Sequence, residues 1–93
     1  MLGAEAQRRG FVNETVPRAD VMKTAEEMAE TIAGKGPLAV QACCRCIHRA
    51  AELKAAEIDS MQAEAFADCF ATDDGKEGIE AFLEQREPMF IGK

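Results

Sequence analysis

The sequence predicts an all-α fold of four to five helices, forming either a small bundle or an extended helical segment. Apolar residues recur at helical spacing in several stretches, and glycine or proline separates each stretch from the next. Residues 11–16, FVNETV, favour at most one brief extended strand, stopped by Pro17. We therefore expect helices joined by short turns.

The N-terminal third predicts two helices. Residues 2–9 favour a short helix closed by Gly10. A second helix follows from Asp20, because its apolar residues share one face, and Gly34 and Gly36 end it. Those apolar residues are Val21, Ala25, Met28, Ala29, Ile32 and Ala33.

The remainder predicts three more helices. Residues 37–51 are apolar around most of the circumference, which favours a helix that begins at Pro37 and is buried on more than one side. An amphipathic helix follows from about Ile58. Asp74 and Glu77 form a capping box, which predicts a last helix that starts at Asp74 and breaks near Pro88.

Size and charge limit the function. The net charge of −6 argues against nucleic acid as a partner, and the 93 residues allow one domain at most, spanning 1–93. Seventeen of the apolar residues are alanine, so the core is thin and an oligomer or a docking partner is expected. No apolar run could span a bilayer and no signal peptide is evident, so we expect a soluble, cytoplasmic protein that binds no membrane.

The cysteines invite a metal or redox hypothesis. Cys43, Cys44 and Cys46 lie within one helical turn and point in diverging directions, with Cys69 in another helix. Reduced thiols that pack as small apolar groups are expected, and a zinc-binding helical module is a remote alternative. His48, the single histidine, has no nucleophile-elbow sequence to serve. We therefore expect no catalytic residue, no metal ligand and no cofactor in this chain.

Three ordered motifs carry a family resemblance. They are GFVNETVP at residues 10–17, IAGKGPLAV at 32–40 and EGIEAFLEQREPMFIGK at 77–93. In this order and spacing they resemble the C-terminal third of the enoyl-CoA hydratase/isomerase (crotonase) superfamily. The resemblance covers essentially the whole chain and implies the helical part of that fold, without its ββα spiral core.

The resemblance also implies a function. Family members act on acyl-CoA thioesters by hydrating or isomerising enoyl-CoA, in fatty acid metabolism among other roles. Their oxyanion-hole N–H groups and catalytic glutamates lie upstream of the matching region. The implied role of this chain is trimer assembly and capping of the acyl-CoA pocket, without catalysis of its own. An isolated fragment or a truncated reading frame is the corresponding expectation for a chain that begins at Met1.

Two site residues follow from the motif. In some family members a Phe and a Lys on the last helix touch CoA, and the matching positions here are Phe82 and Gln85. Gln85 cannot supply the positive charge that would pair with a CoA phosphate. Cys44 also stands where a Lys is common, which favours burial of its helix. Phe82 could instead pack in an apolar stripe with Ile79 and Leu83.

A second hypothesis belongs to another class. The thin core, together with the Gln85 and Cys44 departures, is consistent with a free-standing helical oligomerisation module that has no enzymatic role. A closed oligomer that buries the stripe of Ile79, Phe82 and Leu83 would favour this hypothesis over an orphaned fragment.

Overall fold

The structure, a computed structural model, describes residues 2–93 and is helical, with no strand in that range. The all-α prediction is confirmed. Residues 11–16, expected to be extended, form bends and irregular backbone instead of a strand. A single 3₁₀ turn, Arg18–Asp20, precedes the second helix. The helices are α1 (Gly3–Arg8), α2 (Val21–Ala33), α3 (Pro37–Ala50), α4 (Ala55–Phe70) and α5 (Asp73–Glu84).

The chain forms two compact units, one ending at Thr31 and the other comprising Ile32–Lys93. In the first unit, α1 ends in a Schellman motif: the Phe11 N–H donates to the Ala6 carbonyl and the Gly10 N–H to the Gln7 carbonyl. Gly10 has the positive φ of 81° that this motif requires, as the sequence predicted.

In the second unit, α4 packs against both α3 and α5. Gly36 caps α3, and Pro37 occupies its first turn as predicted, since a missing N–H costs nothing there. The fourth helix begins at Ala55, earlier than the expected Ile58. Ala42 and Ala81 are the apolar side chains that this structure buries among residues 2–93. The expected thin core is therefore observed.

The start of α5 differs from the predicted capping box. Thr72, not Asp74, is the N-cap, and its hydroxyl accepts a hydrogen bond of 3.0 Å from the Gly75 N–H. Threonine hydroxyls are favoured at this position because they satisfy an otherwise unpaired backbone donor. The helix consequently begins one residue earlier, at Asp73, and the carboxylates of Asp74 and Glu77 make other contacts.

The end of α5 is also earlier than the predicted break near Pro88. Gln85 adopts the left-handed conformation, with φ 55° and ψ 44°. The Arg86 N–H donates to the Ala81 carbonyl at 3.0 Å and the Gln85 N–H to the Phe82 carbonyl at 3.3 Å. This is a second Schellman motif, with glutamine in the place usually taken by glycine.

Candidate functional site

The candidate site is built around α5 and the C-terminal segment that follows it, residues 87–93, called the tail below. Close packing at the α4–α5 turn fixes where α5 points. The Thr72 hydroxyl donates to the Cys69 carbonyl at 2.6 Å. A Cβ on Gly75 would overlap with the Cys69 carbonyl oxygen and lie 2.9 Å from that of Phe70. Only glycine fits this position without moving the backbone.

Asp74 holds the end of the tail. Its side chain is buried, at 5% exposure. One carboxylate oxygen accepts from the Ile91 N–H and the other from the Gly92 N–H, each at 2.8 Å. The Asp74 backbone N–H in turn donates to the Lys93 carbonyl at 2.8 Å. A buried carboxylate requires such partners, so this residue and the tail depend on each other.

Glu77 holds the beginning of the tail. Its carboxylate pairs with both terminal nitrogens of Arg86 and accepts from the Met89 N–H at 3.0 Å. The Arg86 Nε also donates to the Glu84 carboxylate at 2.7 Å. The Arg86 guanidinium, and next the Met89 N–H, lower the pKa of Glu77 to about 2. Glu77 is therefore ionised throughout the physiological pH range. Arg86 thus joins the end of α5 to the carboxylates of both Glu77 and Glu84.

The two anchors place Phe90 near the start of α3 and the middle of α5. A Cβ on Gly78 would lie 3.6 Å from the Phe90 ring, and a Cβ on Gly36 would lie 3.8 Å from it. The two glycines thus leave room for an aromatic ring between the start of α3 and the middle of α5. Phe90 becomes part of the wall of an apolar groove.

The groove has a volume of about 370 Å³. Along α5 its lining extends from the N-cap, Thr72, to the exposed Phe82 and Leu83. We call it the α5 groove. Its apolar lining includes Leu38, Ala39, Ile79, Phe82, Leu83 and Phe90.

Only one of the two residues predicted to bind substrate lines the α5 groove. Phe82 lines the α5 groove and is 82% exposed. The neighbouring Leu83 also lines the groove and is 73% exposed. Gln85 is exposed at the end of the helix and does not line this groove. The left-handed backbone at Gln85 gives this residue a structural part in ending α5.

The cysteines are free thiols, but they are less buried than predicted. Cys43 and Cys44 are exposed, while Cys46 and Cys69 are partly buried. The expected burial of α3 on several sides is not observed within this chain, where Ile47 is 70% exposed. Within residues 2–93, no three His, Cys, Asp or Glu side chains converge as a metal site would require. His48 is exposed.

Sequence reasoning missed the anchoring of the tail. Two signals were available: Thr72 lies three residues before Gly75, which suits an N-cap, and the pair Asp73-Asp74 leaves one carboxylate free for another contact. Nothing local in the sequence shows that Ile91 and Gly92 return to Asp74, because that contact spans 17 and 18 residues.

The family follows from comparison of the whole chain with known proteins. A family model described as enoyl-CoA hydratase/isomerase matches residues 1–93. The chain belongs to this family, and the predicted resemblance is confirmed.

Similar proteins include the crotonyl-CoA hydratase of Syntrophomonas wolfei, 38% identical over 96% of this chain. The short-chain-enoyl-CoA hydratase of Clostridium acetobutylicum is 36% identical over 89% of it. Among solved structures, the enoyl-CoA hydratase from Bacillus anthracis superposes with a TM-score of 0.91 at 33% identity, over 98% of this chain.

These proteins are about three times longer than this chain. It spans 32% of the Clostridium protein, 34% of the Syntrophomonas protein and 35% of the Bacillus chain. In the part of the chain that the structure describes, no helix is both long and apolar enough to cross a membrane.

Proposed function

We propose that this chain is the C-terminal helical segment of an enoyl-CoA hydratase or isomerase, and that it serves in trimer assembly and in capping the acyl-CoA pocket. The complete enzyme would hydrate or isomerise enoyl-CoA thioesters. The chain itself would not catalyse the reaction. The proposal rests on the family and on the surface chemistry of α5.

The observation that carries the proposal is the exposed apolar end of α5. Phe82 and Leu83 are adjacent and are 82% and 73% exposed at the edge of an apolar groove. Burying side chains of this size is worth about 1.5 to 3 kcal/mol each, so a surface of this kind marks a contact with a partner or a ligand. The partner we propose is the remainder of the hydratase fold together with its acyl-CoA.

The carboxylates near the groove support a role without catalysis. Both oxygens of Asp74 are occupied by backbone N–H groups, and Glu77 is ionised by its pairing with Arg86. With a pKa of about 2, Glu77 is a very weak base and cannot donate a proton at neutral pH. Asp74, which lines the groove, and Glu77, which lies outside its lining, both hold the tail, so neither carboxylate is free for acid-base chemistry there.

We propose unequal roles for the two predicted substrate-binding residues. Phe82 would pack against the bound acyl-CoA, since it lines the groove and its ring is free to make contacts. Gln85 would contribute at most a neutral hydrogen bond, because it lacks the charge that a phosphate would attract. Affinity for the CoA part would then depend on groups elsewhere in the enzyme.

A chimera tests the proposal. In it, this chain replaces the matching C-terminal segment of the Syntrophomonas wolfei crotonyl-CoA hydratase. We expect the chimera to hydrate crotonyl-CoA and to sediment as a closed oligomer, and we expect the 93-residue chain alone to show no hydration. The Phe82→Ala chimera should show a KM for crotonyl-CoA raised about tenfold, the size of a lost aromatic contact.

The matched control is Phe66→Ala on α4, since Phe66 is also an exposed phenylalanine, at 71%, but does not line the α5 groove. This variant should keep its KM within about twofold. Equal changes in the two variants, or no change in either, would contradict the proposed role of Phe82.

The free-standing module is the second candidate. The observation in its favour is that the tail completes the unit Ile32–Lys93 without any other chain. Sedimentation of the 93-residue chain distinguishes the two candidates. A stable closed oligomer that Phe82→Ala dissociates favours the module, whereas a monomer or non-specific aggregates favour the enzyme segment.

A further inference from the structure

We infer that Asp74 is a positioning residue whose carboxylate latches the tail and thereby sets the wall of the α5 groove. The inference rests on the proposed function, because the ligand it assigns to the groove is the acyl-CoA of that proposal. It adds a residue that the motif comparison did not single out.

Hydrogen bonds hold Asp74 to the end of the tail, and we call this contact the latch. Three hydrogen bonds of 2.8 Å join Asp74 to three consecutive tail residues, Ile91, Gly92 and Lys93. Two of them use the carboxylate and the third uses the backbone N–H of the same residue. The Asp74 side chain is also the one charged group that the structure buries within residues 2–93. Burial strengthens such bonds and makes an unpaired alternative costly.

The latch lies next to Phe90, which lines the α5 groove. Phe90 immediately precedes the latched residues, and a Cβ placed on Gly78 or Gly36 would lie 3.6 or 3.8 Å from its ring. Asp74, Gly78 and Phe90 all line the α5 groove. Holding Ile91 and Gly92 therefore holds the ring, which lines the same groove as Phe82. Release of the latch would leave that wall unsupported.

Asp74 and Glu77 hold different parts of the tail. Glu77 holds Met89 and Arg86, which are exposed, and it is not part of the groove lining. Glu77 thus steadies the tail at the surface, whereas Asp74 fixes it at the groove. Loss of Glu77 should free the start of the tail and leave Phe90 in place.

Two measurements on isosteric variants test the inference. Asparagine keeps the size of Asp74 but offers one accepting oxygen, so one of the two tail N–H groups would face an amide donor. In Asp74→Asn we expect the amides of Ile91 and Gly92 to exchange hydrogen about tenfold to a hundredfold faster, as the loss of a charge-assisted bond implies. In the chimera, the same variant should raise the KM for crotonyl-CoA about tenfold with kcat nearly unchanged.

Two controls isolate the latch. Asp73→Asn removes the same charge from the same helix start, but Asp73 is exposed and does not line the groove. Glu77→Gln removes the other tail anchor and should accelerate exchange at Met89. Neither control should change the exchange of Ile91 and Gly92, or the KM, by more than about threefold. Asp73→Asn also removes a negative charge that stabilises the N-terminal end of the helix dipole. If a general weakening of α5 caused the faster exchange, Asp73→Asn would therefore show it as well.

A variant from the tail side covers the case in which Asp74→Asn fails to fold. Truncation after Phe90 removes both N–H donors and the Lys93 carbonyl, and it leaves the sequence of α5 unchanged. It should raise the KM of the chimera as Asp74→Asn does.

The inference is overturned if Asp74→Asn exchanges like Asp73→Asn, or if neither Asp74→Asn nor the truncation changes the KM of a chimera that still responds to Phe82→Ala. A chimera whose KM does not respond to Phe82→Ala would instead count against the proposed function. In that case, faster exchange confined to Asp74→Asn would still support the latch, while the acyl-CoA part of the inference would be lost with the function.

Discussion

The two ends of α5 differ in how fully this chain buries their side chains. At the N-terminal end, the Thr72 cap, the tight turn at Gly75 and the latch at Asp74 satisfy the backbone and bury the only charged side chain that residues 2–93 bury. At the C-terminal end, Phe82 and Leu83 are exposed and Gln85 holds a conformation that glycine would adopt more easily. This difference is the basis for the proposal that a partner covers the C-terminal end of α5, whereas this chain itself completes the N-terminal end.

Substitution of Gly75 should produce the largest effect on the completed end. In Gly75→Ala the new methyl group would overlap with the Cys69 carbonyl and crowd that of Phe70, so the α4–α5 turn must shift. We expect the free energy of unfolding to fall by about 3 kcal/mol. Urea unfolding followed by circular dichroism measures it.

Gly78→Ala is the matched control on the same helix. Its methyl group would make an ordinary contact with Phe90 at 3.6 Å, and alanine is the better helix former. We expect the protein to be unchanged or more stable by up to about 1 kcal/mol. A loss in Gly78→Ala as large as in Gly75→Ala would contradict the assignment of the tight turn to Gly75.

Relief of strain at the other end should have a smaller effect of opposite sign. Gln85 has a φ of 55°, which costs a residue with a side chain roughly 1 kcal/mol relative to glycine. Gln85→Gly should therefore stabilise the chain by about 1 kcal/mol, and Gln85→Ala should change stability by less than about 0.5 kcal/mol. Thermal unfolding of the two variants checks this. A destabilised Gln85→Gly would mean that the glutamine side chain, not its backbone, supports the helix end.

Acid should weaken the outer anchor of the tail. Arg86 lowers the pKa of Glu77 from its ordinary 4.5 to about 2. Because the folded value is the lower one, the contribution of Glu77 to stability is complete above about pH 4.5 and is lost as the pH falls through 2. The stability difference between the parent chain and Glu77→Gln should shrink over this window.

Urea unfolding of both chains at several pH values between 6 and 2 measures that difference, and titrating groups common to both cancel. A difference that stays constant down to pH 2 would show that the ion pair with Arg86 does not form in solution.

Truncation of the exposed aromatic ring should have the smallest effect on the isolated chain. Phe82 is 82% exposed, so Phe82→Ala removes little buried area and should change the free energy of unfolding by less than about 0.5 kcal/mol. A large loss of stability in the isolated chain would place Phe82 in a core that the structure does not contain.

Sequence reasoning reached the helices and the family but not the latch. The Gly10 stop, Pro37 in the first turn of α3 and the apolar stripe of α5 follow from local rules, and the structure bears them out. The capping box was wrong because Thr72 takes the N-cap position, although local preferences rank aspartate slightly above threonine there. The Asp74 latch could not be predicted from the sequence, because it joins residues that only the tertiary fold brings together.

The limited burial of α3 has the same origin. The apolar circumference of residues 37–51 predicts neighbours on several sides, whereas α4 is the helix that packs most extensively against α3 in this structure. Under the proposed function, the other faces of α3 would contact the remainder of the hydratase; these 93 residues correspond to about a third of the related hydratases.

The central claim is that the C-terminal end of α5 is a surface covered by the rest of a hydratase fold. Hydroxyl-radical footprinting of Phe82 and Leu83, in the 93-residue chain and in the chimera, tests it most directly. We predict that both side chains are oxidised readily in the isolated chain and are protected at least fivefold in the chimera, as burial of an exposed side chain should produce (an order-of-magnitude expectation). Equal oxidation in the two proteins would contradict the claim.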